Sequence, residues 1–474
     1  MERLERPNVL IIYTDQQRWD SLACYGNELA HTPNLDKLAS RGARLNSYFV
    51  QNPVCMPSRM AFLTGRYCSN LGVGTNGIPF PEDAVAINQI LQPYGYHTAQ
   101  IGKLHFQPHA RRDHRDPHPL YGFDTFILSD EPGCYDDAYT KWVEAIDPDM
   151  VDKVRVSLPP AAYHYGKNSF SDVPRNTHQP YLFEGEEDYT HSSFVTAEIC
   201  RFIEEHKKER FFAIAGFYAP HTPVNPPQRF VDMYNPEDMD LPLVGEKEEI
   251  ASFLKGISED KWREIIAYYL ALVSHVDDCV GKIINQLEAE GIFENTMVIF
   301  TSDHGEYLGD HGRIQKGMPG HDCITRVPFI ISYPEKINSG IVVDELVEAV
   351  DVLPTILDYC AVQTPGYVQG KSFKKLLENS NSKTDSKSHH REDVLTEFFV
   401  PGGKKESTIR TKKYKYYCSS IGEELLYDLK NDPEELNNQV GNPDYTNVLL
   451  DLRKRMIVRI QEAAYKSGER KAEY

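Results

Sequence analysis

The sequence predicts an α/β protein. A large, mixed, mostly parallel sheet flanked by helices is expected over residues 1–365, with a smaller α+β subdomain over 366–474. Three observations carry this. Short apolar runs recur at Asn8–Asp15, Tyr96–Gly102, Phe211–Ala219 and Met297–Ser302, the composition of strands buried on both faces. Helical patterns lie between them, at Val195–His206 and Glu264–Glu290, with apolar residues three and four apart. Such alternation implies parallel pairing, with helices on both faces. Past Arg326 the character changes to short strands with turn residues between them.

In chain order, Thr32–Ala39 reads as a turn and helix. Arg44–Val50 reads as a strand leading into a loop at Cys55. Val327–Tyr333 is a further strand and Val347–Val362 a helix containing Pro354. Asn379–His390, rich in Ser, Asn and Lys, marks a loop or linker. Val394–Val400 and Thr408–Cys418 suit a small antiparallel sheet. Leu425–Leu429 is a strand followed by a helix start at Asn431–Glu434, and Leu449–Tyr465 is an amphipathic terminal helix. No internal repeat is present.

With 474 residues and 41% hydrophobic content the chain can bury a sizeable core. Its 70 acidic against 51 basic residues give a net charge of -19. That argues against a nucleic-acid binder, which needs a basic face, but not against an anionic substrate met by a few local cations. Nine cysteines, an odd number with no C-x-x-C pair, suggest neither a zinc site nor a disulfide framework. The first residues lack an apolar signal core, and no run approaches the ~20 residues of a membrane span. The expectation is a cytoplasmic protein without membrane partners.

Asp15, Lys103, His105, His221, Asp303 and His304 all follow predicted strands at their C-terminal ends. In open α/β sheets ligands bind along that edge. One more segment joins them: Cys55-Met56-Pro57-Ser58-Arg59, running on through Leu63-Thr64-Gly65-Arg66. Pro57 favours a helix start, and Ser58 and Arg59 fall in the first turn, where free N–H groups attract an anion. Cys55 is then expected at a helix N-terminus beside a guanidinium, where a thiol is activated or altered. An isolated cysteine is ordinarily a packing residue. A phosphatase-type thiolate loop would need more glycine and a longer Cys-to-Arg spacing.

This string resembles the signature of type I sulfatases, in the alkaline-phosphatase-like superfamily: Cys or Ser, any residue, Pro, Ser, Arg, then Leu-Thr-Gly-Arg. Every fixed position is present. The resemblance implies that Cys55 is oxidised to formylglycine by a formylglycine-generating or anaerobic sulfatase-maturing enzyme, and hydrates to a gem-diol. It implies metal roles for Asp15, Gln16, Asp303, His304 and the modified Cys55. Gln16 stands where a second aspartate is usual and His304 where asparagine is frequent. The oxygen-rich set suits Ca²⁺, or Mg²⁺, and the added nitrogen could favour Mn²⁺.

Arg59, Lys103 and Lys316 are the cations expected on the substrate's charged oxygens. Gly102-Lys103-Leu104-His105 resembles the family's Gly-Lys-x-His element, and Ala219-Pro220-His221 its Pro-His turn. The implied reaction is attack by the gem-diol on sulfur, giving a sulfo-enzyme intermediate. His221 protonates the leaving alcohol, with Lys316 assisting. His105 then takes a proton from the remaining hydroxyl to expel sulfate. Asn76, in Gly74-Thr75-Asn76-Gly77, would bond an anion oxygen or hold the Cys55 loop. His311 and His321 have no assigned role, and His109, His114 and His118 would line an entrance. The expected activity is hydrolysis of a carbohydrate or aryl sulfate monoester. A phosphonate monoester or phosphodiester hydrolase on the same scaffold is the nearest alternative, and a non-cleaving binder of sulfated glycans is another. Specificity would come from the loop between His105 and Tyr121, the insert from Cys134 to Asp188 and the C-terminal subdomain.

Overall fold

The computed structural model describes residues 6–108, 116–132, 136–154, 179–378 and 389–465. Among the described residues fourteen strands follow one another along the chain. They are β1 (Asn8–Thr14), β2 (Ala43–Leu45), β3 (Tyr48–Phe49), β4 (His97–Gly102), β5 (Thr125–Leu128), β6 (Phe211–Gly216), β7 (Thr296–Ser302), β8 (Phe329–Ser332), β9 (Ile341–Val343), β10 (Val347–Glu348), β11 (Asp393–Phe399), β12 (Lys405–Thr411), β13 (Tyr414–Ser419) and β14 (Glu424–Asp428). The helices include α1 (Pro33–Ser40), α2 (Cys55–Thr64), α3 (His191–His206), α4 (Glu259–Ala289), α5 (Val352–Tyr359) and α6 (Thr446–Ala464).

An 8-stranded sheet runs β5-β4-β6-β1-β7-β8-β2-β9. From β5 to β7 every pair is parallel, and β8 enters antiparallel to β7 and to β2. Successive side chains of a strand point to opposite faces, so β1 serves two cores. Val9, Ile11 and Tyr13 join Met56, Met60, Leu353 and Ile356 of α2 and α5 on one face. Leu10 and Ile12 join Val195 and Ile199 of α3 and Val273 and Val276 of α4 on the other. All four central strands read as apolar runs because both faces are covered.

Several sequence expectations change in contact with the fold. Arg44–Val50 is not one strand. β2 lies in the large sheet, whereas β3 leaves it to pair with β10. The run from Val347 begins as β10 and a 3-10 turn, and only Val352–Tyr359 is α-helical. The buried Glu348 and Asp351 fix that start, because Asp351 accepts the Glu348 N–H at 3.0 Å. Asn431–Glu434 forms a turn closed on Asp428 and Asp432 rather than a helix. Most of the expected 379–390 linker lies outside the described residues, as do His109, His114 and much of the Cys134–Asp188 insert. The eight described cysteines are free. No helix among the described residues is long and apolar enough to cross a membrane.

A second, 4-stranded antiparallel sheet, β11-β12-β13-β14, packs with α6. Residues 366–378 still belong to the large unit, with Phe373 and Leu377 in its core. The small sheet braces two loops of the large one. Thr408 Oγ1 donates to the Pro319 carbonyl at 2.7 Å, and Lys415 Nζ pairs with Asp322 at 2.6 Å. Asn52, just before Cys55, donates to the Glu397 carbonyl at 2.6 Å.

Candidate active site

β4, β6, β1 and β7 are adjacent and parallel, so their C-terminal ends form one rim. Asp15 follows β1, Lys103 follows β4, and Asp303 and His304 follow β7. His221 comes from the turn beyond β6. The β4 and β6 backbones approach closely here. A Cβ on Gly102 (φ +86) would lie 2.1 Å from the Gly216 carbonyl oxygen, so glycine is required where β4 delivers Lys103.

Helix α2 begins at Cys55, with Val54 as its extended N-cap. The helix is buried throughout, which explains its weak amphipathic pattern. Cys55 Sγ, 1% exposed, lies 2.6 Å from Lys316 Nζ, 3.2 Å from His304 Nε2 and 3.8 Å from Asp15 Oδ1. Burial, then the Asp15 charge, pushes its thiol up to about 12. The free thiol is therefore protonated and a poor nucleophile at neutral pH.

Asp15 and Asp303 are fully buried. Lys103 Nζ contacts Asp15 at 2.8 Å and Glu131 at 3.3 Å. Burial alone would raise the Asp15 pKa. Lys103, His221, Lys316 and Arg59 outweigh it and hold the carboxyl well below its ordinary range. Burial likewise opposes the Lys103 charge, and Asp15 and Glu131 overcome it, so Lys103 stays protonated.

Arg59 turns its N–H groups inward. Nε donates to Asp303 at 2.7 Å, and the terminal nitrogens reach Asp15 at 3.4 Å and the Lys103 and Thr14 carbonyls. Its guanidinium lies over the Tyr13 ring at 4.6 Å. In this arrangement Arg59 fixes the carboxylates, where the sequence had suggested a grip on substrate oxygens.

His304 Nδ1 donates to the Gly305 carbonyl at 2.8 Å, leaving Nε2 as a lone-pair donor facing Cys55. Burial pushes its pKa down to about 4, so the ring is neutral. His221 repeats the pattern. Nδ1 donates to the Thr222 carbonyl at 2.6 Å, and Nε2 accepts from Lys316 Nζ at 3.1 Å. Burial and then Lys316 push it down to about 3. Burial opposes the Lys316 charge, but Cys55 and Asp15 raise its pKa. The mobile proton of this pair therefore rests on Lys316.

Asp15, Cys55, Asp303 and His304 place one donor atom each within 4.8 Å of one another. Gln16 sits in the left-handed region at φ 65 and gives its N–H to Asp303 at 3.1 Å. Its amide nitrogen bonds Glu306, while its carbonyl oxygen Oε1 is buried without a hydrogen-bond partner. Two carboxylates, an unpaired amide oxygen and one imidazole fit a hard divalent cation.

His105 also adopts the left-handed region at φ 57. Asp130 holds it there by accepting the N–H groups of Leu104 and His105 at 2.8 and 2.7 Å. Its Nε2 lies 4.0 Å from Glu131, so His105 joins the site through the carboxylate it shares with Lys103. Asn76 accepts the Met56 N–H at 2.9 Å, one residue past Cys55. His118 packs its ring against Phe126, with centroids 5.5 Å apart. Sequence reasoning missed Asp130, Glu131 and Glu306. Glu306 accepts from Gln16 and from the Leu308 and Gln315 N–H groups, joining the loop after β1 to the Lys316 loop. Glu306 lies just behind the strand expected at Met297–Ser302, whereas the strand that delivers Asp130 and Glu131, Thr125–Leu128, carried no sequence expectation.

A sulfatase family model matches residues 7–362. The chain belongs to the sulfatase family. A second model, the N-sulphoglucosamine sulphohydrolase C-terminal region, matches residues 309–462 of this sulfatase. An arylsulfatase of Clostridium perfringens is 30% identical, covering 98% of this chain and 97% of that one. An N-acetylglucosamine-6-O-sulfatase of Bacteroides thetaiotaomicron is 28% identical over 94% of this chain and 84% of its own. Among solved structures, the phosphonate monoester hydrolase of Agrobacterium radiobacter superposes with a TM-score of 0.79 at 25% identity, covering 96% of each chain.

Proposed function

We propose that this sulfatase hydrolyses a carbohydrate or aryl sulfate monoester at a hydrated aldehyde formed from Cys55. One observation carries the reading: Cys55 Sγ, at a helix N-terminus, meets Asp15, His304 and Lys316 together, within 3.8 Å. A packing cysteine has no need of such neighbours. When present, the hydrated aldehyde supplies the attacking hydroxyl. A divalent cation, Ca²⁺ first, with Mn²⁺ or Mg²⁺ as substitutes, supplies Lewis-acid activation between Asp15, Gln16, Asp303 and His304.

The remaining roles belong to side chains. Lys103 and Lys316 hold the sulfate oxygens, while Arg59 keeps both carboxylates in place. Lys316 Nζ, 3.1 Å from His221 Nε2, passes its proton to that nitrogen as the ester bond breaks, and His221 delivers it to the leaving oxygen. His105, oriented by Asp130 and Glu131, accepts a proton in the second step. The names of the arylsulfatase and the N-acetylglucosamine-6-O-sulfatase support an aryl or saccharide ester.

The structural likeness to a phosphonate monoester hydrolase favours one second reading, cleavage of phosphonate or phosphate diesters. The test is parallel turnover of 4-nitrophenyl sulfate, sulfated monosaccharides and a 4-nitrophenyl phosphonate ester, before and after chelation and Ca²⁺ return. The mass of the peptide containing residue 55 is read on the same sample. The expected result is metal-dependent sulfate release, with a peptide about 18 Da lighter than the thiol form. Faster phosphonate turnover would shift the assignment. Full activity with an unmodified Cys55 would overturn it.

A further inference from the structure

We propose that His97, His206 and Glu209 form a second metal site, for a divalent transition ion of the Zn²⁺ class. It lies at the end of β4 opposite Lys103. His97 opens β4, His206 closes α3, and Glu209 sits in the turn before β6. Both imidazoles address one carboxylate oxygen. Glu209 Oε2 is 3.2 Å from His206 Nδ1 and 3.8 Å from His97 Nδ1. One donor atom from each residue lies within 4.8 Å of the other two.

The surroundings favour ligation. His97 Nε2 is 2.9 Å from Thr125 Oγ1. When that nitrogen donates to the hydroxyl, the Nδ1 lone pair faces Glu209. An outer partner on the far ring nitrogen is how ligand histidines are oriented. The two rings lie 4.0 Å apart, and the buried Phe202 ring flanks them at 4.5 Å from His206 and 5.8 Å from His97. A histidine at a helix C-terminus beside an acid has a simpler use, offsetting the helix dipole. That explains His206 with Glu209. It does not explain His97, whose Nδ1 faces the same oxygen beyond hydrogen-bond reach.

Two imidazoles and one carboxylate, with the carboxylate 57% exposed, make an open three-ligand set of the zinc type. This set is softer than the oxygen-rich cluster at Asp15, so the two sites discriminate between ions. The other histidine cluster, His311 with His321 and Glu248, is less suited. Its rings stack in parallel at 3.6 Å, and their nitrogens already bond Glu248, Tyr307 and Tyr427.

The test uses the full chain with Ca²⁺ at saturation. Zn²⁺ binding is followed by calorimetry, and Co²⁺ by its ligand-field absorption. The wild type is expected to bind Zn²⁺ and to show Co²⁺ bands that Zn²⁺ displaces. His206→Ala and Glu209→Gln should each weaken this binding about tenfold or more, with aryl sulfate turnover unchanged. Glu209 is exposed, so its variant keeps the test valid if His206→Ala folds poorly. Zn²⁺ binding to Glu209→Gln and His206→Ala as tight as to the wild type, or no Zn²⁺ uptake by the wild type, overturns the proposal.

Discussion

Replacing Lys316 with alanine tests the proton inventory of the site. Lys316 Nζ lies 2.6 Å from Cys55 Sγ, 3.1 Å from His221 and 3.3 Å from His304. It therefore does two things: it faces the charge that develops at residue 55, and it holds the proton that His221 passes on. Two unit charges at that separation attract by about 6 kcal/mol at an effective dielectric of about 20. Water entering the alanine cavity recovers most of this, leaving about 1.4 kcal/mol, a factor of about ten. General-acid loss by itself is worth about 10²–10⁴ in rate, or about 3–5 kcal/mol. The expected kcat on a sulfated sugar, whose alkoxide leaves poorly, falls by about 10³-fold or more. On 4-nitrophenyl sulfate, whose phenolate needs no proton, the fall is about tenfold, from lost charge alone. Steady-state kinetics on both esters measure this, with the residue 55 peptide mass confirming equal maturation. Equal losses on the two substrates would refute the proton relay. A loss below threefold on both would refute any role for Lys316.

Three further outcomes are expected. Glu131→Gln removes the charge shared by Lys103 and His105, and should lower kcat/KM by about ten- to a hundredfold while shifting its pH profile; an unchanged profile would leave Glu131 purely structural. Arg391→Met strips the partner from Asp351 (Nε, 2.7 Å) and Glu348 (2.9 Å), both fully buried, and should cost about 3–5 kcal/mol in chemical denaturation; a cost under about 1 kcal/mol would show that the remaining partners, Arg459 at 2.6 Å from Glu348 and His390 at 3.1 Å from Asp351, suffice. Asp277, which caps α1 by accepting the Asn34 and Leu35 N–H groups, is pushed up to about 6 by burial. The folded state then binds its proton more tightly than the unfolded chain. Its contribution is complete below about pH 4 and is lost as pH rises through 6, at about 1.4 kcal/mol per unit. The stability difference between wild type and Asp277→Asn should show that slope, and a flat difference from pH 4 to 7 would contradict it.

The sequence by itself determined the rim. Four apolar runs ending in Asp15, Lys103, the His221 turn and Asp303-His304 could only be strands covered on both faces, and parallel strands put their ends on one edge. The Cys55 string likewise fixed its own helix start, because Pro57 and the small residues act within one turn. What these cues could not determine is which groups face one another across the chain. Arg59 shows this. Its spacing from Cys55 suggested a substrate contact, yet Asp303, 244 positions later, accepts its N–H. The same holds for Glu131, Asp130 and Glu306, whose roles come from partners on other strands and loops. The bracing of the Lys316 loop by β12 and β13 is another case. Local pattern reports periodicity and capping, which operate over a few residues. The charge state of a buried site depends on long-range neighbours and lost solvent, and only the packed structure supplies both.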